Sequence, residues 1–322
     1  MAESTFESAV DLAAVARAVD CLRAGGLVAM PTETVYGLAA DAINDAAVRS
    51  IFTTKGRPAG HPLIVHIAAA SELPDWTTSD DPRVWLLAAA FWPGPLTMVL
   101  PRSDKVSAVA VGNRETVAVR VPNHPVALEL LRQFGGGVAA PSANRFGRVS
   151  PTTAAHVKAD LGDDVGVILD GGPCGVGVES TIVELVGGSV TLLRPGGVSV
   201  EQLEAVLGAP VVDGTAGAAR ASGMMASHYA PAASVRVAEA DQLTLVSDDA
   251  AVIVPFATDR PRSWSLPADT AGFAAGLYAA LRAADQAAVR DCGGLAKPGA
   301  IACCAHRPGR QSGRAPPLTP PA

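Results

Sequence analysis

Gly25-Gly-Leu-Val-Ala-Met-Pro-Thr-Glu-Thr-Val-Tyr-Gly-Leu38 is the stretch that decides the fold. A helix is expected to end at its glycine pair, and residues 27–30 then read as a short apolar strand. Pro31 breaks this strand. Because α/β proteins place their chemistry beyond strand ends, we expect a functional site beside the three polar residues that follow, which are Thr32, Glu33 and Thr34.

The same order of strand, proline and polar cluster recurs along the chain. Several strands lie too close together for helical crossovers, which indicates hairpins in a mixed sheet. The sequence therefore predicts one α/β domain up to about Leu207. We expect its helices over residues 11–23, 44–53, 82–91, 126–133 and 152–161, and its strands over residues 27–30, 63–67, 97–100, 117–120, 138–140, 167–169, 180–185 and 190–193.

Later parts of the chain differ in composition. Residues 213–233 are mostly small and polar, which is typical of a linker. A strand at 251–254 and an alanine-rich helix at 272–284 indicate a smaller α/β unit. The stretch from Gly293 is rich in Pro, Arg, Gly and Cys without a hydrophobic period, so no regular structure is expected there. The predicted boundaries are a first domain at 10–212, the linker at 213–233, a small α/β domain at 234–290 and an irregular tail at 291–322.

The composition limits the classes of protein to which this chain can belong. A chain of 322 residues with 49% hydrophobic content can bury cores for two domains. The net charge of −6 argues against an extended, sequence-independent nucleic-acid-binding surface, which has to be basic. Five cysteines without metal-ligand spacing indicate reduced thiols. The N-terminus has no targeting signal and no stretch could span a membrane, so a cytoplasmic location without membrane association is expected.

Two polar pairs could bind a phosphorylated ligand. Lys55 and Arg57 place two cations on one loop, which suits a polyphosphate, although a solvated basic loop is the simpler alternative. Ser142 and Asn144 follow a strand and a proline. They could donate hydrogen bonds to phosphate or ribose, or they could only form a turn.

Four further residues have two interpretations each. Arg120 at a strand end suits a carboxylate, or it forms a surface salt bridge. His66 in an apolar strand is either a ligand-binding residue or a buried core histidine. Ser180 and Arg194 lie at strand ends, where such residues are common. The sequence has no Walker-type loop, no G-x-G-x-x-G after a strand and no H-E-x-x-H, so no individual motif decides the function.

Nine phrases occur in order between residues 31 and 231. They are Pro-Thr-Glu-Thr-Val-Tyr-Gly-Leu (31–38), Lys-Gly-Arg-Pro (55–58), Pro-Leu-Ile-Val-His (62–66), Phe-Trp-Pro-Gly-Pro-Leu-Thr (91–97), Val-Ala-Val-Arg-Val-Pro (117–122), Ala-Pro-Ser-Ala-Asn (140–144), Gly-Val-Glu-Ser-Thr-Ile (177–182), Leu-Arg-Pro-Gly (193–196) and His-Tyr-Ala-Pro (228–231). Together they resemble the threonylcarbamoyl-AMP synthase family, the YrdC-domain proteins, in the longer form with a linker and a second domain.

The resemblance implies a YrdC-like twisted mixed sheet with flanking helices around a cavity, plus a smaller α/β C-terminal domain. It implies an L-threonylcarbamoyladenylate synthase, which condenses L-threonine, bicarbonate and ATP and releases pyrophosphate. The product serves the t6A modification of tRNA through a downstream threonylcarbamoyl-transferase machinery. Mg²⁺ is the expected cofactor because it neutralises the triphosphate, and no metal site made by the protein is predicted.

The resemblance also implies roles for individual residues. It makes Lys55, Arg57, Ser142 and Asn144 the catalytic set. It assigns ATP to Arg57, His61, Thr116, Ser142, Ser150, Arg194 and Tyr229, with Tyr229 closing over the nucleotide. It assigns L-threonine to Thr34, His66, Arg120, Ala140 and Ser180, with Arg120 binding the carboxylate. No residue resembles a covalent nucleophile, so catalysis by positioning is expected.

Two features depart from the family pattern. The linker lacks the two basic residues that usually precede His228 and Tyr229, which predicts weaker contacts from this lid to the phosphates. After about Val289 the apolar strand and helix of the family's second domain are replaced by a Cys-, Gly- and Arg-rich run. This change is typical of a shifted reading frame or a diverged tail, and it predicts an incomplete second domain.

Two other functions stay open at this point. The chain could be a YrdC-like module that binds RNA without forming an adenylate, and direct tRNA binding is undecided. It could also carry out a related carbamoyl-adenylate reaction, as in hydrogenase-maturation carbamoyltransferases. The absence of that family's acylphosphatase-like and zinc-finger regions argues against this second alternative.

Overall fold

The structure is a computed structural model, and it describes residues 10–215, 231, 233–238, 242–243, 246–247, 250–290 and 300–304. Within these ranges the α-helices are α1 (Leu12–Arg23), α2 (Asp45–Lys55), α3 (Pro82–Phe91), α4 (Pro125–Phe134), α5 (Ala154–Leu161), α6 (Val200–Leu207) and α7 (Thr270–Arg290). Two short 3-10 helices lie at Ala70–Asp75 and Gly162–Asp164.

The strands alternate with these helices along the chain. In the first domain they are β1 (Val28–Met30), β2 (Gly37–Asp41), β3 (Ile64–His66), β4 (Leu96–Pro101), β5 (Thr116–Arg120), β6 (Val138–Ala139), β7 (Val167–Ile168), β8 (Thr181–Val186), β9 (Ser189–Arg194) and β10 (Val212–Asp213). Beyond the linker they are β11 (Ser234–Ala238), β12 (Ala251–Val254), β13 (Ser263–Ser265) and β14 (Ala300–Cys304).

Strands β1 to β10 form one sheet in the order β10-β9-β8-β4-β5-β3-β6-β2-β1-β7. β3 is parallel to β5, and β4 is parallel to β8. The pairs β1–β2, β4–β5 and β8–β9 are antiparallel. This combination confirms the predicted mixed sheet with hairpins, in which β2, β10 and α6 are elements that the sequence did not predict.

The central strand β3 shows how the sheet separates the core from a cavity. Successive strand residues point to opposite faces. Leu63, Val65 and Ile67 are buried in the main apolar core. Ile64 and His66 face the other side, where they line a cavity. The apolar run 63–67 is therefore buried on both faces, and its polar member lies on the cavity face.

The helix ends place two charged residues beside that cavity. The side chain of Asn44 accepts from the first backbone N–H groups of α2. The helix ends at Gly56, whose φ of 63° lies in the left-handed region that glycine adopts without strain. The resulting turn separates Lys55, at the last position of the helix, from Arg57 on the following loop.

A second sheet, in the order β11-β14-β12-β13, carries the C-terminal unit, and its pairs are parallel. Ile253 of β12 packs against Tyr278 and Leu281 of α7. The expectation of no regular structure after residue 293 is wrong for residues 300–304, because they form β14 between β11 and β12. A parallel strand paired on both sides needs a short apolar run rather than an alternating pattern, and Ala-Ile-Ala-Cys-Cys is such a run.

Most of the predicted linker, residues 216–230, lies outside the described residues. The predicted domain boundaries and the predicted change of reading frame stay predictions. In the part of the chain that the structure describes, no helix has the length and apolarity needed to cross a membrane.

Candidate active site

One face of the large sheet carries a cavity of about 460 Å³, the solvent at its mouth included. Eight of the predicted site residues line it, namely Thr34, Arg57, His66, Arg120, Ala140, Ser142, Ser180 and Arg194. The remaining lining residues are Thr32, Val35, Gly37, Ile64, Pro141 and Glu179.

Strand ends and loops bring these residues together. His66 and Arg120 end the parallel strands β3 and β5 and pair in register. Ser180 directly precedes β8, and Arg194 ends the antiparallel neighbour β9. Ser142 follows β6 and forms an isolated bridge with Gly37. The loop that carries Thr34 joins β1 to β2, so residues distant in sequence border one space.

Arg120 is 3% exposed and is held from three sides. Its Nη1 donates to Thr34 Oγ1 at 2.9 Å, and its Nε donates to the Gly94 carbonyl at 3.1 Å. Its Nη2 lies 2.7 Å from Glu33 Oε1. A guanidinium group has five N–H donors, and the hydrogen bonds to Thr34 and Gly94 use only two of them. Because Arg120 also lines the cavity, it suits the binding of a carboxylate there.

His66, next to Arg120, is 4% exposed. Burial, together with the charge of Arg120, lowers the pKa of His66 to about 3, so its imidazole is neutral at physiological pH. Its Nδ1 is buried and has no hydrogen-bond partner among the described residues. Because unsatisfied buried polar atoms are costly, this nitrogen marks a place where a polar ligand group fits.

Two further guanidinium groups line the same cavity. Arg57 is 6% exposed, donates to the Pro62 carbonyl at 3.2 Å and lies 6.0 Å from the ring centre of Phe146. Arg194 is also 6% exposed, and its Nε and Nη2 donate to the Ser180 carbonyl at 3.0 and 2.8 Å. Two buried cations in one cavity favour a multiply charged anion.

Lys55 and Asn144 support the cavity wall from behind, since neither lines the cavity. Lys55 Nζ donates to the Ser142 carbonyl, to the Asn144 carbonyl at 2.5 Å and to Asn144 Oδ1 at 3.5 Å. Asn144 Nδ2 donates to the carbonyls of Arg145 and Arg148, both at 2.8 Å. The two residues therefore fix the loop that carries Ser142.

The remaining predicted residues lie farther from the cavity lining. Ser150 is fully buried, and its hydroxyl donates to Glu179 Oε1 at 2.6 Å. His61 lies 5.7 Å from the Phe146 ring, and burial lowers the pKa of this histidine. Thr116 begins β5, at the opposite end of the strand from Arg120. Tyr229 lies outside the described residues.

Glu179 and Glu33 are site residues to which the sequence assigned no ligand-binding role. Glu179 lines the cavity and lies 3.9 Å from Arg194 Nη1. Glu33 pairs with Arg120. The available signal for Glu179 was its position directly before Ser180 in the phrase Gly-Val-Glu-Ser-Thr-Ile. A carboxylate among predicted ligand-binding residues would be costly to bury without a cation, and Arg194 is the cation beside Glu179.

The fold and the cavity together define an α/β protein that is built to bind anions, since three arginines line the cavity. Residues 20–196 match the family model described as "Telomere recombination". Residues 198–314 match the model described as "Threonylcarbamoyl-AMP synthase, C-terminal domain". The two matches follow each other along the chain in the order of the two predicted domains.

Individual relatives agree with these models. The chain is 41% identical over 294 residues to a threonylcarbamoyl-AMP synthase of Bacillus subtilis, with 84% of each protein covered. It is 48% identical over 223 residues to that of Pyrococcus abyssi, which covers 68% of this chain and 66% of the relative. The structure of P. abyssi Sua5 complexed with L-threonine superposes with a TM-score of 0.83 at 38% identity, covering 91% of this chain and 89% of that one.

The chain therefore belongs to the threonylcarbamoyl-AMP synthase family, whose members are enzymes that use ATP to form an adenylate. This result confirms the resemblance, the fold class and the enzyme class expected from the sequence. It favours the adenylate-forming enzyme over an RNA-binding module.

Proposed function

We propose that this protein condenses L-threonine, bicarbonate and ATP to threonylcarbamoyl-AMP, with release of pyrophosphate, for the t6A modification of tRNA. The observation that carries the proposal is a single cavity that is lined by Arg120 and His66 and also by Arg57 and Arg194. In the proposal, Arg120 and His66 form one half of this cavity, and Arg57 and Arg194 form the other. The first half suits an amino acid, and the second suits a triphosphate. The structure of the P. abyssi relative complexed with L-threonine supports threonine as the amino acid.

L-threonine is proposed to bind where Arg120 lines the cavity. Its carboxylate would accept from the guanidinium group, while Thr34 and Ser180 offer hydroxyl groups in the same cavity. The neutral Nδ1 of His66 would accept from the amino or hydroxyl group of threonine. The Ala140 backbone borders the same space.

ATP is proposed to place its phosphates against Arg57, Arg194 and Ser142, with Ser150, His61, Thr116 and Tyr229 as further predicted contacts. Lys55 and Asn144 serve this half by holding the loop of Ser142. Two guanidinium groups stabilise the charge that develops on the leaving pyrophosphate.

The reaction needs positioning rather than a protein nucleophile. The amine of threonine attacks bicarbonate, which gives a carbamate and one molecule of water. A carbamate oxygen then attacks the α-phosphorus, and the bond to pyrophosphate breaks. A buried cavity favours this sequence because it holds the reacting groups together and protects the labile carbamate from water.

Mg²⁺ is the proposed companion of ATP. It usually keeps several waters and binds through one or two carboxylates plus substrate phosphates. The described residues contain no cluster of three or more His, Cys, Asp or Glu side chains, but Glu179 faces the cavity beside Arg194. This donor set fits a cation held mainly by the triphosphate, with Glu179 as its protein ligand. Bound there, Mg²⁺ would neutralise triphosphate charge.

The product is a reactive mixed anhydride, so the protein needs a partner that consumes it. We propose that this partner is a threonylcarbamoyl-transferase machinery that acts on tRNA, and that both work in the cytoplasm.

The testing experiment is a pyrophosphate-release assay with ATP and bicarbonate, with and without L-threonine. Threonine is expected to stimulate release in the wild-type protein. Arg120→Lys is expected to raise the KM for threonine by about 30-fold, because lysine keeps the charge but loses the planar fork that matches a carboxylate. Arg57→Ala is expected to raise the KM for ATP by about 30-fold or more, because it removes a buried charged contact. Arg83→Ala, which removes a surface arginine paired with Asp81, serves as the control.

Two outcomes would contradict the proposal. Failure of threonine to stimulate pyrophosphate release in folded protein would exclude the reaction. An equal effect of Arg120→Lys and Arg57→Ala on both substrates would exclude the division of the cavity into two halves.

A further inference from the structure

Arg282 is a buried arginine of the C-terminal unit whose partners lie in the first domain. It belongs to α7, and its side chain is 9% exposed. Its Nη1 donates to Asp160 Oδ1 at 3.1 Å, and its Nη2 also pairs with the Asp160 carboxylate. Asp160 lies on α5. This bidentate ion pair therefore joins the two domains.

The same guanidinium group holds the backbone of the nucleotide half. Its Nη2 donates to the Val149 carbonyl at 2.6 Å, and its Nε donates to the Ser150 carbonyl at 3.3 Å. Ser150 in turn donates its hydroxyl to Glu179, which lines the cavity beside Arg194. A continuous chain of contacts thus runs from Arg282 to the cavity.

A second contact of α7 reaches the same wall independently. Gly177 has a φ of +68°, and a Cβ built on it would lie 2.4 Å from the Ala275 carbonyl oxygen of α7. Any side chain at this position would therefore displace the helix or the segment that leads to Glu179. Helix α7 rests directly on both segments that carry the Ser150–Glu179 pair.

Apolar packing completes this interface. Val149 and the cavity-lining Val35 belong to the same buried cluster as Ile253, Tyr278 and Leu281 of the C-terminal unit. On α7, Asp285 also accepts from the backbone N–H of Ala233 at 2.9 Å, at the end of the predicted linker. The helix is thus fixed to the first domain by charge, by close backbone contact and by apolar burial.

We propose that α7 is the rear support of the nucleotide half of the site, and that Arg282 is a positioning residue that holds Ser150 and Glu179 in place for ATP. The inference rests on the proposed function, since it assigns the ATP half of that site. Arg282 touches no substrate in this arrangement. It acts through the backbone of residues 149–150, so ATP binding depends on Arg282, whereas Arg282 makes no contact with Arg120 or His66.

The test compares Arg282→Ala and Arg282→Lys with Arg260→Ala. Arg260 is a matched control, because its guanidinium group also holds backbone carbonyls, those of Leu243, Val246 and Ser247, but within the C-terminal unit. Calorimetry gives the Kd for ATP and for L-threonine separately. Pyrophosphate release gives KM and kcat, and circular dichroism confirms folding.

Arg282→Ala is expected to raise the Kd and KM for ATP by about tenfold, as for residues that support a site without touching its ligand. The Kd for threonine should stay within about twofold of wild type, because the threonine half has no contact with Arg282. Arg282→Lys should fall in between, since it keeps the charge toward Asp160 but loses the planar fork. Arg260→Ala should change neither affinity.

Unchanged ATP affinity in folded Arg282→Ala would overturn the inference, as would an equal loss of ATP affinity in Arg260→Ala. If Arg282→Ala does not fold, the ATP affinities of Arg282→Lys and Asp160→Asn provide the test. Wild-type ATP affinity in both of these variants would overturn the inference. The proposed function fails separately, through absence of threonine-dependent pyrophosphate release in the wild-type protein.

Discussion

At the scale of single residues, Lys55 is a buried cation that holds a loop by hydrogen bonds. It is 3% exposed, and three oxygen atoms of Ser142 and Asn144 surround its amino group. Burial, with Arg57 nearby as a further cause, lowers the pKa of Lys55 from its ordinary value of 10.5 to about 7. Protonation of Lys55 is therefore coupled to folding, which makes the free energy of unfolding depend on pH.

This coupling predicts a pH-dependent stability that Lys55→Met removes. Between pH 7 and 10.5 the unfolded chain binds more protons at Lys55 than the folded protein does. The free energy of unfolding therefore rises with pH in this window, by up to about 1.4 kcal/mol per pH unit from this residue. Urea unfolding of both proteins at several values between pH 7 and 10 measures the slope. Parallel slopes for wild type and Lys55→Met would contradict the coupling.

Residue types at strand ends predicted much of the cavity lining, but not how the residues are paired. His66 and Arg120 were candidates because a polar residue at the end of an apolar strand is costly to bury unless it has a partner. The sequence could not show that Lys55 turns behind the wall, because this depends on two carbonyls of a loop 87 residues away. Glu179 was missed because its partners Ser150 and Arg194 meet it only through tertiary folding.

At the scale of elements, the predicted helices and strands of the first domain are confirmed, and the elements missed there are β2, β10 and α6. Helix α3 occupies the predicted residues 82–91, because Pro82 is its first residue and Asp81 caps it. Strand β2 was missed because Gly-Leu-Ala-Ala-Asp has low β propensity, and antiparallel pairing with β1 and β6 determines its conformation. Helix α6 had a readable signal in its capping box, Ser199 with Gln202.

The position of strand β14 in the second sheet predicts how shortening the chain affects the C-terminal unit. It lies between β11 and β12, with five residue pairs to the first and three to the second. A chain that ends at residue 299 should lose the cooperative unfolding of the C-terminal unit, because the sheet is then divided and its backbone groups are unpaired. A chain that ends at residue 308 retains β14 and should unfold like wild type.

Calorimetry of the two shortened chains measures this difference. Identical unfolding profiles would show that β14 contributes nothing to the unit, in agreement with the original expectation of an irregular tail. An intact-mass measurement on protein from the native source, with the coding DNA, tests the predicted change of reading frame separately.

At the scale of the whole molecule, the two domains share one buried interface beside the ATP half of the cavity. The Arg282–Asp160 pair and the Val149 cluster are both part of it. A buried ion pair is weak evidence for stability by itself, because desolvation offsets much of its attraction. Its position is more informative, since it fixes the backbone at Ser150 rather than a point remote from the site.

This arrangement predicts that ATP stabilises a helix that it does not touch. If α7 must stay docked for Ser150 and Glu179 to bind nucleotide, ATP at about 100 times its Kd opposes undocking by up to about 2.7 kcal/mol. Amide hydrogens of α7 that exchange by undocking should then exchange up to about 100-fold more slowly. L-threonine alone should protect α7 less, because its proposed site is linked to the C-terminal unit only through the apolar contact of Val35, whereas Arg282 holds the backbone at Ser150 directly.

Hydrogen exchange followed by mass spectrometry, with peptides that cover residues 270–290, measures this protection. In Arg282→Ala the protection of α7 by ATP should decrease, because the helix no longer holds the backbone of Ser150. Equal protection of α7 by threonine and by ATP would contradict the assignment of this helix to the nucleotide half. Full protection by ATP in Arg282→Ala would show instead that the apolar cluster around Val149 is sufficient to couple the domains.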